Sequence, residues 1–333
     1  MDTNSGSLIE ARAPSNIALI KYMGKSETTG NRPANASLSL TLTALETCVE
    51  VRPAATWSWS PLQREGFFPP ELSEAGRTRF VAHAERVANA LGSQHFRAEI
   101  RSANNFPPDC GLASSASSFA ALTLAIAKAC GRDPESASDR RLLSKLSQQG
   151  SGSSCRSLFS PWAIWREEGA ESVEGLPSLE QMEHVVFVVS GDRKAVSSSE
   201  AHRRVVTSEL FSGRIERAGR RLDELLQTLR RSTTDVAAWN QAADLVWAES
   251  WDMHALFETS RPPFGYFVPG SVSVLSELRH WVGVRQPLVT MDAGPNVHAV
   301  FWRESDLQAR LQQLTQSLES KVPGIQVIRG LRR

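Results

Sequence analysis

The chain has 333 residues, of which 41% are hydrophobic and 22% charged, a composition that suits a folded protein longer than one average domain. Basic residues number 37 and acidic ones 36, so a net charge of +1 offers no global field for nucleic acid or a membrane surface, and any anionic ligand needs a local site. Four cysteines without C-x-x-C spacing argue against a disulfide scaffold, and seven histidines without H-x-x-x-H or H-E-x-x-H spacing argue against a zinc site.

The first stretch, MDTNSGSLIEARAPSN, lacks the basic-then-apolar layout of a signal peptide. No later stretch approaches the ~18 uninterrupted apolar residues of a membrane span, so a cytoplasmic location is expected. SLSLTLTALETCVEV, residues 37 to 51, alternates Leu38, Leu40 and Leu42 against Ser39, Thr41 and Thr43, which predicts a half-buried strand. Phe80, Ala84, Val87, Ala88 and Leu91 recur at helical spacing, and HFRAEIRS (95 to 102) returns to period two. FPPDCGLASSASSF (106 to 119) then leads into AALTLAIAKAC, a buried helix stopped by Gly131 and Pro134. A helix over 138 to 149 ends at GSGSSCRS, and HVVFVVS (184 to 190) reads as a buried strand. The polar, turn-rich GAESVEGLPSLEQ before it places a domain boundary near 180, dividing the chain into 1–180 and 181–333. Helices dominate from 214 to 258 and break at Pro262-Pro263; beyond them come a helix at 271–281, strands 287–292 and 297–303, a helix at 304–319 and a strand at 324–330. Strands and helices mixed without regular βαβ alternation predict an α+β fold.

Three small-residue stretches carry the chemistry. The first turn of a helix exposes unpaired N–H groups and the positive end of its dipole, so the loop through Gly111 into Ser114 and Ser115 suits a phosphate without any lysine; it equally suits a plain serine cap. GSGSSCR (150 to 156) sets serine hydroxyls beside Arg156, whose fork binds two oxygens at once, although such a stretch also makes a flexible turn. MDAGPN (291 to 296) leaves a strand with Asp292 held beside Gly294 and Pro295, either to orient a hydroxyl or to serve the turn. Near the start, NIALIKYMGK gathers Lys21, Tyr22 and Lys25 around Gly24; lysines number six against 31 arginines, and a lysine in an apolar strand calls for a carboxylate partner. Of the remaining features, Trp57 and Trp59 read as hairpin packing, Leu245, Trp247, Trp251, Met253 and Leu256 as core, and His298 as structural.

In this order and at these distances, APSNIALIKYMGK, PANASLSLTL, FPPDCGLASSASS, GSGSSCRS, DRKAVSSSEA and TMDAGPN resemble the mevalonate diphosphate decarboxylases of the GHMP kinase superfamily, from about residue 11 to about 300. The resemblance implies a ribosomal-S5-domain-2-like N-terminal lobe and a ferredoxin-like C-terminal lobe, ATP and Mg²⁺, and a cytosolic homodimer of the isoprenoid pathway. It implies that Gly111, Ala113, Ser114, Ser115 and Ser197 contact ATP, with Ser115 also at Mg²⁺. Tyr22, Lys25, Ser151, Ser153 and Arg156 match positions that bind the substrate diphosphate; Asp292 matches the carboxylate that orients and deprotonates the 3-hydroxyl, and Lys21 the lysine beside it. The implied reaction is ATP-dependent decarboxylation of mevalonate 5-diphosphate to isopentenyl diphosphate, with release of ADP, phosphate and CO₂.

The sequence departs from the family where Met23 replaces a common tryptophan, where Ser198 stands in place of an arginine, and in WSWS (57 to 60). A GHMP-type kinase or decarboxylase acting on mevalonate or its 5-phosphate would share much of this pattern. A catalytically silent sensor on the same fold would not need Lys21, Ser115, Arg156 and Asp292 together. An RNA-binding role rests on fold analogy alone, and near-neutral charge disfavours it.

Overall fold

A computed structural model describes residues 7–25, 31–107, 114–167, 169–191 and 195–332. Two long strands, β1 (Ile9–Ile20) and β2 (Ser37–Pro53), pair antiparallel and start the first sheet. Because β2 is 17 residues long, it carries β4 (Ala98–Asn104) along Thr47–Pro53 and β5 (Trp162–Arg166) along Ser37–Leu40. The short β3 (Ser58–Pro61) and β6 (Gly169–Ser172) complete six strands in the order β3-β4-β2-β5-β6, with β1 also on β2. The second sheet has the order β10-β7-β9-β8, built from β7 (Met182–Val188), β8 (Leu288–Met291), β9 (Val297–Trp302) and β10 (Gln326–Arg329), all antiparallel.

Strand periodicity sorts the side chains into layers. Ala11, Ala13, Val49, Val51, Ile100 and Trp165 face one way, onto α1 (Glu74–Ala90), α2 (Ser114–Ala129) and α3 (Ala137–Gly150). Ile17, Leu38, Leu40, Leu42 and Ile164 face the other way, register shifts at Pro14/Ser15 and Ala18/Ile20 having re-aimed β1. There they share one apolar cluster with α5 (Arg214–Arg231), α6 (Val236–Glu258) and Met182, Val186, Val188 and Val300 of the second sheet. Val185, Phe187, Val289, Phe301 and their neighbours point beyond it to α7 (Pro269–Arg279) and α8 (Leu307–Lys321). Helices α1, α3 and α6 start at side-chain caps: Ser73 accepts the N–H of Gly76, Ser136 that of Asp139, and Asp235 those of Ala237 and Ala238.

The α+β class expected from the sequence is the observed one, with three local differences. The polar face of β2 is buried, not solvated: Ser37, Ser39 and Thr41 are each 0% exposed, because that face is occupied by the segment after α3, whose Phe159 carbonyl accepts the Thr41 hydroxyl at 2.7 Å. Trp57 and Trp59 belong to no hairpin. Trp59 lies in β3, an edge strand parallel to β4, and donates its indole N–H to Ser102 at 3.0 Å, while Trp57 packs edge-on to Phe96. Trp251 is 44% exposed and stacks on Phe267, whereas Met253 and Leu256 are buried as expected.

Because one apolar cluster takes residues from both sheets, the two halves are expected to unfold together. Leu225, fully buried in that cluster, is the test. Leu225→Ala should cost about 2–5 kcal/mol yet leave a single urea transition, with tryptophan fluorescence and far-UV circular dichroism coinciding. Two separated transitions would contradict the shared core.

Candidate active site

A cleft of about 330 Å³ opens where the end of β1, the start of α2, the segment after α3, the segment before α4 (Ser198–Arg204) and the turn after β8 converge. Its walls carry Lys21, Tyr22, Lys25, Ser114, Ser115, Ser151, Ser153, Arg156, Ser197 and Asp292, so the structure brings these sequence-predicted residues to one place. Gly111 and Ala113 lie outside the described residues.

The centre is an ion pair. Lys21, the first residue beyond β1, directs its ammonium to Asp292 Oδ1 at 2.6 Å. The lysine side chain is 2% exposed and the aspartate 30%, so the carboxylate is the member that opens to the cleft. Burial pushes the Lys21 ammonium below its ordinary value, against the pull of Asp292 and Glu249. Burial alone would raise Asp292, but Lys21, His298 and Arg156 outweigh it and hold the carboxyl below the usual range, so it is ionised at neutral pH. His254, 1% exposed on α6, lies within the field of both; burial pushes it down to about 3, so it stays neutral beside them.

The stretch GSGSSCRS is a 3-10 helix, Gly152–Leu158, not an open loop. The winding turns Arg156 inward, where it is 3% exposed and donates to Ser37 at 2.8 Å, to Ser39 at 3.1 Å and to Asn16 at 3.3–3.4 Å, beside the Trp165 ring. This explains the buried serines of β2: they hold a guanidinium whose charge is felt by both Lys21 and Asp292. Ser151 and Ser153 stay at the rim, and the Ser151 hydroxyl meets Ser115 at 3.4 Å, joining this helix to the tip of α2. Gly152 is required by close approach, because a Cβ there would lie 2.7 Å from the Tyr22 ring.

Lys25 donates to Asn31 Oδ1 at 2.7 Å, and Tyr22 is sandwiched between Trp165 and His202. Burial, then Arg79 and Arg203, push the Lys25 ammonium down, which marks a crowd of like charges at this end. Ser197 caps α4 by accepting the Glu200 N–H at 3.2 Å, and Met23 packs with Met253 and Phe257 where relatives' tryptophan was expected to matter.

Sequence reasoning missed Arg79, which reaches the cleft from α1 while donating to the Gly150 carbonyl; one arginine among 31 in a helical pattern carries no signal. It missed Asn31, whose φ is 59° and which accepts from Lys25 and donates to the Gln148 carbonyl of α3; the asparagine two residues before Pro33 in NRPAN was the available hint for a turn. Asn16 was quoted within a motif but not singled out. It is 2% exposed, accepts from Arg156 and donates to Ser157 at 2.7 Å.

With the geometry in place, comparison with known proteins gives a consistent result. Residues 13–174 match the family described as diphosphomevalonate decarboxylase-like N-terminal domain, and residues 184–332 match the mevalonate 5-diphosphate decarboxylase C-terminal domain. The diphosphomevalonate decarboxylase of Debaryomyces hansenii is 34% identical, over 94% of this chain and 84% of its own length. Among solved structures, the mevalonate diphosphate decarboxylase from Legionella pneumophila superposes with a TM-score of 0.82 at 36% identity, covering 97% of this chain and 100% of that one. A structure described as MDDEF in complex with MVAPP, AMPPCP and magnesium gives 0.80 at 28% identity, covering 98% of each chain.

The histidine beside Tyr22 makes the cleft sensitive to acid. His202 Nδ1 accepts the Gly24 N–H at 3.1 Å, and burial together with Lys25 pushes its pKa from 6.5 down to about 3. Below pH 6.5 the unfolded chain takes up a proton that the folded one refuses, so stability falls as pH drops from 6.5 toward 3. Replacing this group in His202→Gln should lessen that fall by about 1 kcal/mol per pH unit between pH 6 and 5, read from urea midpoints. An unchanged slope would mean that His202 titrates normally in the fold.

Proposed function

The chain belongs to the diphosphomevalonate decarboxylase family and catalyses the ATP-dependent decarboxylation of mevalonate diphosphate, and we propose that the cleft around Lys21 and Asp292 is where it does so. The observation that carries this reading is the charge pattern of the walls. Lys21, Lys25, Arg79 and Arg156 surround a single carboxylate among the described lining residues, Asp292. Such a surface favours polyanions and leaves one base facing whatever lies between them.

In the proposed arrangement Tyr22, Lys25, Arg79, Ser151, Ser153 and Arg156 bind the substrate's anionic groups, with Lys25 and Arg79 at the diphosphate. The buried guanidinium of Arg156 is held in place by Ser37, Ser39 and Asn16, so it acts as a fixed positive wall near Asp292. Ser114, Ser115 and Ser197, together with Gly111 and Ala113 of the preceding loop, bind ATP. The first N–H groups of the 16-residue α2 are the natural partners of its phosphates. A relative solved with AMPPCP and magnesium supports ATP and Mg²⁺ as partners here. The ion neutralises phosphate charge, and the exposed Ser115 hydroxyl at the tip of α2 suits it as a protein contact.

Asp292, ionised and open to the cleft, accepts the proton of the tertiary 3-hydroxyl as its oxygen attacks the γ-phosphorus and the bond to ADP breaks. Lys21 fixes the carboxylate's direction through its 2.6 Å bond and keeps it charged. The new phosphate leaves with the C–O electron pair, and the electrons of the bond to the carboxylate form the double bond as CO₂ departs. Positioning of the two anions supplies most of the catalysis in such a transfer, with ~7 to 11 kcal/mol available from orientation against about 1 kcal/mol for one capping bond. The same reading includes a domain boundary near 180, a cytoplasmic location and a homodimer. No described helix is long and apolar enough to cross a membrane.

Incubating the protein with ATP, Mg²⁺ and, separately, mevalonate, its 5-phosphate and its 5-diphosphate should release CO₂ in step with ADP from the diphosphate alone. ADP without CO₂ would indicate a kinase and overturn the reading. Asp292→Asn should lower kcat by about 10²–10⁴-fold with the fold intact by circular dichroism. Retention of half the wild-type kcat would remove Asp292 from the role of base.

A further inference from the structure

Lys21 is the first residue after β1, so its buried N–H and C=O groups have left the strand ladder and need other partners. They find them in the other half of the chain. The N–H donates to Glu249 Oε1 of α6 at 3.0 Å; the carbonyl accepts from Arg214 Nη2 of α5 at 3.2 Å and from Asn35 at 2.8 Å. Glu249 and Arg214 are both 0% exposed and bonded to each other, with a second Arg214–Glu249 contact at 2.9 Å. Arg217 and Arg221, on the same face of α5, hold Asp252 one turn further along α6, and Arg221 also reaches Glu249 at 3.1 Å. The residue next to Glu249 grips the other catalytic strand: the Ser250 hydroxyl accepts the N–H of Met291, which precedes Asp292, at 3.2 Å.

Resting on the functional reading above, we infer that Glu249 and Arg214 are positioning residues that clamp the backbone of Lys21, while Ser250 fixes the backbone before Asp292, so that one turn of α6 sets the distance between the two catalytic side chains. A buried ion pair is poor evidence for a stability role, since well-packed apolar residues often replace one without loss. An apolar pair at 214 and 249 would leave the N–H of Lys21 without its only described acceptor and its carbonyl with Asn35 alone. The network therefore does something that packing cannot: it satisfies and orients a strand end that carries a reacting group. Misplacement by about 1 Å is enough to cost 10²-fold in rate.

Glu249→Met and Glu249→Gln test the clamp. Both remove the same charge, but the glutamine keeps a carbonyl oxygen for the Lys21 N–H, so a difference between them reports the hydrogen bond. We expect kcat to fall by about 100-fold in Glu249→Met, by about tenfold in Glu249→Gln and by a few-fold in Ser250→Ala, with KM for mevalonate diphosphate within about threefold of wild type. A second readout needs no turnover: modification of Lys21 by trinitrobenzenesulfonate, located by mass spectrometry, should accelerate in the same order. If Glu249→Met does not fold, the other two variants carry the test. Values of kcat within twofold of wild type, or a loss of Tm alone with both readouts unchanged, would overturn the clamp. A wild-type protein that turns over no substrate, with Lys21 reactivity still rising in the variants, would sink the functional reading and leave the clamp standing.

Discussion

The Lys21–Asp292 bond is the constraint around which the rest of the molecule is arranged. Its members lie 271 residues apart, one just beyond the first sheet and one just beyond the second. Either charge alone in this position would be expensive to bury, and each is tolerated because the other is there. The pair therefore requires the two sheets to meet at a fixed distance. The apolar cluster that runs from Leu38 and Leu40 through Leu222 and Leu225 to Val186 and Val300 supplies that meeting without any polar requirement of its own. Non-directional burial brings the halves together, and directional bonds at the seam decide where they stop.

What the sequence disclosed about this arrangement follows the range of each signal. Alternation along residues 37 to 51 and the apolar composition of AALTLAIAKAC are local signals, and the strand Ser37–Pro53 and the helix Ser114–Ala129 form there. Lys21 was expected to have a carboxylate, because a scarce lysine in apolar company needs one, and periodicity could go no further than that. The identity of the partner is a property of the tertiary fold. The same limit explains why Ser39 and Thr41 read as solvent-facing: nothing in SLSLTLT reports that an arginine from a 3-10 helix more than a hundred residues later will be buried against them. Glu249 illustrates it best. It sits in LVWAESWDMHALF, where hydrophobic spacing draws attention to the tryptophans, yet it is the 0%-exposed charge and Trp251 is the exposed ring.

Arginine and lysine divide the work of the cleft in keeping with their chemistry. Arg156 and Arg214 are buried, each with several fixed acceptors, and serve as rigid fixtures: one is a positive wall backed by Ser37, Ser39 and Asn16, the other a grip on a main-chain carbonyl. A planar fork that cannot lose its proton is suited to both tasks. Lys21 and Lys25 stand where a compact cation with an adjustable pKa is useful, and burial pushes both ammonium groups down. In a chain that otherwise uses arginine, the placement of two of its six lysines four residues apart at one cleft follows from that difference.

The charge pattern also bears on how the site behaves with and without its ligands. Lys25 feels Arg79 and Arg203, of which Arg203 is paired with Glu200, and Lys21 feels Arg156, while Asp292, the single carboxylate among the described lining residues, is already committed to Lys21. Repulsion among these cations is then part of the free state, and a polyanion that enters removes it in addition to forming new bonds. Binding of this kind draws on a difference between the two states of the protein and not only on contacts in one of them. The rigid members, Arg156 and the clamp behind Lys21, keep their places in either state because their acceptors belong to the protein. The rim members, Lys25, Arg79 and the serines at 115, 151 and 153, have few such ties, and they are the groups whose order a ligand can change. A fixed base with a fixed cation behind it, fronted by an adaptable cationic rim, allows the two anionic groups to be gathered first and the hydroxyl to be met by a carboxylate that does not need to move.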